Sequence, residues 1–194
     1  GCGTVFLDNV VSIIEDSECP NLNINYVTNS VADLNLFRTL SDYVLIVIHT
    51  HGGLDPDNNV IFLTGDEVDY LDMDELLDWL LGNIYSVPFH GKSMWIVKPA
   101  YITAHNGTYP NSIVYNGSCE SAHNNTMANA FINNGANTYF GFSQTVRSWF
   151  DRDKANELFP SLITDGLTTG EAFIPNQHDD NVPPAYFVMI GNED

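Results

Sequence analysis

The sequence predicts an α/β protein, a three-layer α/β/α sandwich with a mostly parallel sheet, with residues 1–194 forming one domain. Three observations lead there. Apolar β-type segments alternate with amphipathic helical patterns, the signature of βαβ units. One of those segments, Tyr43–Ile48, is apolar at every position, as in a strand covered on both faces. The chain also has 194 residues and 44% hydrophobic content, enough for one well-filled core.

Taken in chain order, Leu22–Thr28 reads as the first strand, and Ser30 as the N-cap of a helix running through Leu40. Tyr43–His49 follows as the candidate centre of the sheet. Met73, Leu76, Leu77, Leu80 and Leu81 keep helical spacing behind Asp72 as N-cap, with Glu75 placed to complete a capping box. Residues 87–111, rich in Gly, Pro and aromatic side chains, read as a strand pair or long loop over the sheet. Ser112–Asn116 and Asn137–Phe142 are strands. Between them a helix over Asn125–Asn134 buries Met127, Ala130 and Phe131 and stops at Gly135 in a left-handed cap. Ala155, Leu158, Phe159, Leu162 and Ile163 repeat the helical spacing around Pro160, which must kink or end that helix. Asp179-Asp180 reads as a solvated turn before the last strand, Ala185–Ile190.

Lys and Arg number 6 against 25 Asp and Glu, a formal net charge of −19. Such a chain repels phosphate backbones and anionic headgroups, which argues against nucleic acid and membrane surfaces as partners. The charge serves solubility, and any steering it does favours a cationic peptide. There is no apolar run of about 18 residues, so no transmembrane segment is expected. Gly1-Cys2 matches the point at which a lipoprotein precursor is cut, which points to an extracellular or cell-surface location; an arbitrary chain end explains the pair equally well. Three cysteines, Cys2, Cys19 and Cys119, cannot all pair within one chain, so at most a Cys2–Cys19 bridge is formed and Cys119 is the odd thiol.

Two segments carry chemistry. Tyr43–Gly53 is a buried strand that ends His-Thr-His-Gly-Gly, and in open parallel sheets ligands sit outside the carboxyl ends of the strands. His51 is therefore a candidate base, against the plainer role of a histidine that turns the chain off a strand. Ser112–Ala122 is a second strand that ends in small residues, with Cys119 just past its end and a helix following. A helix N-terminus would add thiolate character to that sulfur. The plainer reading of Cys119 is a small buried hydrophobe. Together the two segments set a base and a nucleophile at one sheet edge, where both can reach one substrate carbonyl.

An apolar strand ending His51-Gly52, a second ending in Cys119, then Ser-Ala, a helix with Ala-Phe, and Gly135–Phe142 together resemble the clan CD cysteine peptidases. The gingipain-like and CHAT branches are nearest, and the similarity runs over residues 43–173, including Gly166–Phe173. The resemblance implies a caspase-like fold and a cysteine endopeptidase that forms a thioester acyl-enzyme. It assigns His51 as the general acid–base, Cys119 as the nucleophile, and the backbone N–H groups of Gly52 and Cys119 as the oxyanion hole. Each such donor typically contributes about 3 kcal/mol. It also places Ser143, Gln144, Thr145 and Val146 beside the pocket for the residue before the scissile bond. No cofactor is implied; calcium dependence occurs in parts of the family, and no calcium loop is evident. Two positions before the nucleophile, where metacaspases carry Asp and caspases Gln, this chain has Gly117, so neither pocket transfers. Glu120, Asp55 and Asp57 are placed to favour Lys or Arg in a substrate, or are ordinary solvated loop acids.

Two further readings compete. His49 and His51 sit at i and i+2, a spacing used by zinc hydrolases, although no third ligand follows by spacing. His90, His105, His123 and His178 are scattered and read as surface residues. A catalytically idle clan CD domain serving adhesion or scaffolding is the third reading.

Overall fold

A computed structural model describes residues 5–17 and 23–194. The expected Cys2–Cys19 bridge, the Gly1-Cys2 lipidation signal and Leu22 lie outside the described residues. The chain is mixed α/β, built on two sheets. In the first, β1 (Leu45–Ile48), β6 (Ile113–Asn116), β7 (Thr138–Phe142), β9 (Ala185–Gly191) and β8 (His178–Asp179) are neighbours in that order. Only β1/β6 and β6/β7 are parallel; β9 and β8 run antiparallel to their neighbours. The sheet is therefore mixed instead of mostly parallel.

β1 lies at the sheet's edge and not at its centre. Its unbroken apolar run has a different cause. Ile46 and Ile48 enter one core cluster with Met127, Phe131, Tyr101 and Val114, while Leu45 and Val47 pack against a second with Phe142, Ala155, Leu158 and Phe159. Burial on both faces makes every position apolar at an edge as well as in the middle.

The second sheet was not foreseen from the sequence. β2 (Gly52–Leu54), β3 (Val60–Glu67), β5 (Lys92–Val97) and β4 (Ile84–Phe89) form an antiparallel sheet in that order. The strand pair expected within 87–111 is its β4–β5 hairpin, which begins earlier, at Ile84, and turns at His90-Gly91. Both turn residues have positive φ (48° and 81°), as a two-residue hairpin turn requires. Helix α4 (Pro99–His105) follows, where no helix was expected.

Residues 23–28 carry no strand; side chains tie the stretch down, the Asn25 amide donating to the Tyr43 hydroxyl and the Tyr26 hydroxyl to Asp8. The long helix expected from Ser30 to Leu40 is broken into short turns around α2 (Leu34–Phe37). Asp33, not Ser30, caps α2 by accepting from the Leu36 N–H at 2.9 Å. Two bonds to β3 cause the break, Gly65 N–H to the Ala32 carbonyl and Leu34 N–H to Asp66.

Helix α3 (Met73–Leu80) forms where expected, with Asp72 accepting from the Asp74 and Glu75 N–H groups. Its apolar stripe, however, faces outward: Met73, Leu77, Leu80 and Leu81 are exposed and Asp78 is buried. Asp78 receives Arg38 at 3.1 Å, the Asn83 amide at 2.8 Å and His105 Nε2 at 2.7 Å. A carboxylate so fully partnered can be buried, and it turns the helix over. Glu75 also departs from the expected capping box, accepting from the Asp69 N–H and from the Trp95 indole.

The remaining helices follow the pattern more closely. α5 (Thr126–Ile132) buries Met127, Ala130 and Phe131, and Gly135 beyond it has φ +100°. α6 (Ser148–Phe159) ends at Pro160, after which Pro160–Thr164 continue as a π-helical turn. Asp179 is not a solvated acid: it is buried and accepts from the backbone N–H and guanidinium of Arg147.

Two carboxylates pin these turns electrostatically. Burial works to raise the Asp55 carboxyl, but hydrogen bonds from Asn59 and Lys98 outweigh it and hold the group below its ordinary value. Hydrogen bonding by Arg147 does the same for Asp179. Their stabilisation is complete above the ordinary carboxylate value of about 4 and is lost as pH falls through the folded value. Burial pushes Asp66 and Glu75 upward, so their contribution has the opposite sign: it is present at low pH and lost as pH rises. Melting temperature is therefore expected to rise as pH falls from 7 toward about 4 and to fall below that. Calorimetry across that range checks this, and continued stabilisation below the fall point would contradict it.

Candidate active site

Three chain ends converge on one concavity of about 130 Å³: His49-Thr50-His51 after β1, Gly117 and Cys119 after β6, and Val146, Ser148 and Asp151 around the start of α6. The convergence follows from pairing. β1 and β6 are parallel with Ile48 opposite Asn116, so both chains leave the sheet at the same edge, and the Gly117 N–H reaches the Ile48 carbonyl at 2.8 Å. Gly52 then packs its backbone directly on the cysteine segment. A Cβ at Gly52 would lie 2.5 Å from the Cys119 carbonyl oxygen and 2.6 Å from Ser118 Cβ, so only glycine fits there.

Cys119 is half-buried, and its Sγ lies 3.7 Å from the Val146 carbonyl oxygen. The segment that carries it is held by a buried polar net. Asn116 Oδ1 accepts from the Ser118 N–H at 3.0 Å and the Ser118 hydroxyl at 2.6 Å, while its amide donates to the Tyr139 hydroxyl at 3.0 Å. The Ser121 hydroxyl donates to the Asn116 carbonyl and accepts from the Phe142 N–H. Asn116, Ser118 and Ser121 are fully buried, and each is satisfied within this net, which therefore fixes the loop. Glu120, next to the cysteine, has φ +59°, a left-handed conformation that costs a side-chain-bearing residue roughly 1–3 kcal/mol. Helix α5 begins only at Thr126, so Cys119 sits in a turn and gains nothing from a helix N-terminus.

The sequence reading missed the floor of the concavity. Asp151, in the first turn of α6, is fully buried with its Oδ2 2.8 Å from His49 Nδ1 and its Oδ1 accepting from the Tyr115 hydroxyl at 2.7 Å. Burial first, then the Asp151 charge and hydrogen bond, push the Tyr115 hydroxyl far above its ordinary value, so it remains a donor. A Cβ at Gly117 would stand 2.6 Å from the Asp151 carboxylate. The bare position two residues before the cysteine is thus the space that Asp151 fills.

Models of known families, curated proteins and solved structures give no match to this chain.

The other sequence candidates are placed as follows. Val146 lines the concavity; Ser143, Gln144 and Thr145 lie beside it along the chain, where the Gln144 carbonyl accepts from the Glu120 N–H and the Thr145 carbonyl from Asn181. The Glu120 carboxylate comes within 3.7 Å of a Cβ built on Gly53, next to the His51 segment. Asp55 is committed elsewhere: it is buried, accepts from Asp57, Asn59 and Lys98, and closes the β2–β3 turn. Asp57 is exposed on that turn. His49 and His51 both line the concavity but differ in setting, His49 being buried against Asp151 and His51 exposed. Among the described residues no group of three or more His, Cys, Asp or Glu side chains is arranged to hold a metal ion. No helix among them is long and apolar enough to cross a membrane.

Proposed function

We propose that the chain is a cysteine endopeptidase of clan CD type, with its sheet and helices arranged as a three-layer sandwich. The observation that carries this reading is the single concavity shared by His51 and Cys119, with the Gly52 backbone packed on the cysteine segment. Cys119 Sγ attacks the substrate carbonyl carbon, and its proton passes to His51. The oxyanion so formed is met by the backbone N–H groups of Gly52 and Cys119. His51 then protonates the leaving amine as the C–N bond breaks, leaving a thioester on Cys119. Water, deprotonated by His51, attacks the thioester and restores the thiol.

Asp151, His49 and Tyr115 act beneath this pair as positioning residues. Their buried contacts fix the end of β1 and the start of α6 against the cysteine loop. Incubating the wild-type chain and C119A with a mixed-sequence peptide library tests the reading, with cleavage expected from the former alone. An uncleaved library in the wild-type arm, under reducing conditions with and without calcium, counts against it.

A further inference from the structure

Beside the concavity that holds Cys119 lies a second one of about 140 Å³, and His51 lines both. Its walls are Ile61, Leu63, Tyr85, Val87, Phe89 and Ile96, carried by β3, β4 and β5, and its rim is the backbone of Gly52-Gly53. No charged side chain lines it, in a chain with 25 acidic residues. The strand periodicity explains the lining. On β3, Val60 and Phe62 point into the main core, while Ile61 and Leu63 point the other way; on β5, Trp95 and Val97 oppose Met94 and Ile96 in the same manner. The second set forms a separate apolar cluster with Tyr85, Val87 and Phe89. Phe89 also packs on the imidazole, its ring centroid 5.1 Å from that of His51.

We infer that this concavity binds a bulky aliphatic or aromatic side chain of the substrate, on the leaving-group side of the scissile bond. The inference rests on the peptidase reading above. In that chemistry His51 protonates the departing nitrogen, so the chain that leaves must pass the imidazole on the side away from the acyl group held at Cys119. A cavity that shares His51 but not Cys119 receives a side chain from that departing segment. Its volume is well below the roughly 300 Å³ of a small-molecule site and suits one side chain. Its apolar lining favours Leu, Ile, Met or Phe over the cationic residues that net charge alone would suggest.

The test uses peptides that share one acyl segment and differ only in the first two residues after the scissile bond, carrying Ala, Leu, Phe, Asp or Lys there. For the wild-type chain, kcat/KM is expected to be about 10–100-fold higher for Leu or Phe than for Ala, the size of burying one such side chain. Val87→Phe, which fills the cavity from its wall, is expected to collapse the Leu-to-Ala ratio toward one; a cooperative thermal melt reports that it is folded. A wild-type ratio below about threefold, or a preference for Asp or Lys, overturns the inference, as does an unchanged ratio in Val87→Phe. Labelling of wild-type Cys119 by a peptidyl electrophile that has no leaving segment separates the two failures. Labelling without apolar preference sinks this inference alone, whereas no labelling and no turnover sinks the peptidase reading and this inference with it.

Discussion

Alanine at position 119 is expected to reduce peptide hydrolysis by at least about 10⁴-fold in kcat while the protein stays folded. The size follows from the mechanism: without sulfur there is no acyl-enzyme, and what remains is binding and the oxyanion donors acting on water. The fold is expected to persist because Cys119 is half-buried in a turn that is anchored by Asn116, Ser118, Ser121 and Tyr139. Loss of one partly covered sulfur costs about 1 kcal/mol or less. Steady-state kinetics alongside thermal melts check both halves. Turnover by C119A within tenfold of wild type would remove the covalent step.

Alanine at position 151 is expected to have the largest effect on stability. Asp151 is fully buried between His49 and Tyr115, and its removal leaves a tyrosine hydroxyl with one acceptor fewer and a histidine facing a void. Breaking a buried pair in this way costs about 3–5 kcal/mol. For a chain of this size that is a fall in melting temperature of roughly 6–20 °C. D151N keeps the volume and the Tyr115 contact and is expected to be milder in stability. If Asp151 positions the site as proposed, D151N lowers kcat with little change in KM, because its buried carboxylate faces His49 and Tyr115. A D151N variant with wild-type kcat would leave Asp151 a structural role only.

The parts of this architecture that the sequence made legible are those with local physical signatures. The continuous apolar run before His49, the helical spacing of Met127, Ala130 and Phe131, the cap at Asp72 and the stop at Pro160 each depend on a few neighbouring residues. What stayed hidden depends on distant partners. The outward face of α3 and the burial of Asp179 are set by Arg38, His105 and Arg147, tens of residues away, and the edge position of β1 by the pairing of β6 with β7. The antiparallel second sheet was hidden because β3 and β5 are covered on both faces and show no alternation. At the site, His51, Gly52 and Cys119 were legible from strand ends followed by small residues. Asp151 was not, since an acid in the first turn of a helix is common and favourable on its own. One signal was available: Gly117, a residue without a side chain just past a buried strand, leaves a space that some other residue must fill.

The central claim is that His51 and Cys119 act on the same bound carbonyl, and covalent trapping tests it most directly. A peptidyl electrophile directed at thiols is added to the wild-type chain and to H51A, and the modified residue is located by mass spectrometry. The account predicts one equivalent on Cys119 in the wild type, with the rate reduced by at least about 10²-fold in H51A and a melting temperature close to wild type. Equal labelling rates in the two proteins, or modification of Cys119 only after unfolding, would contradict it.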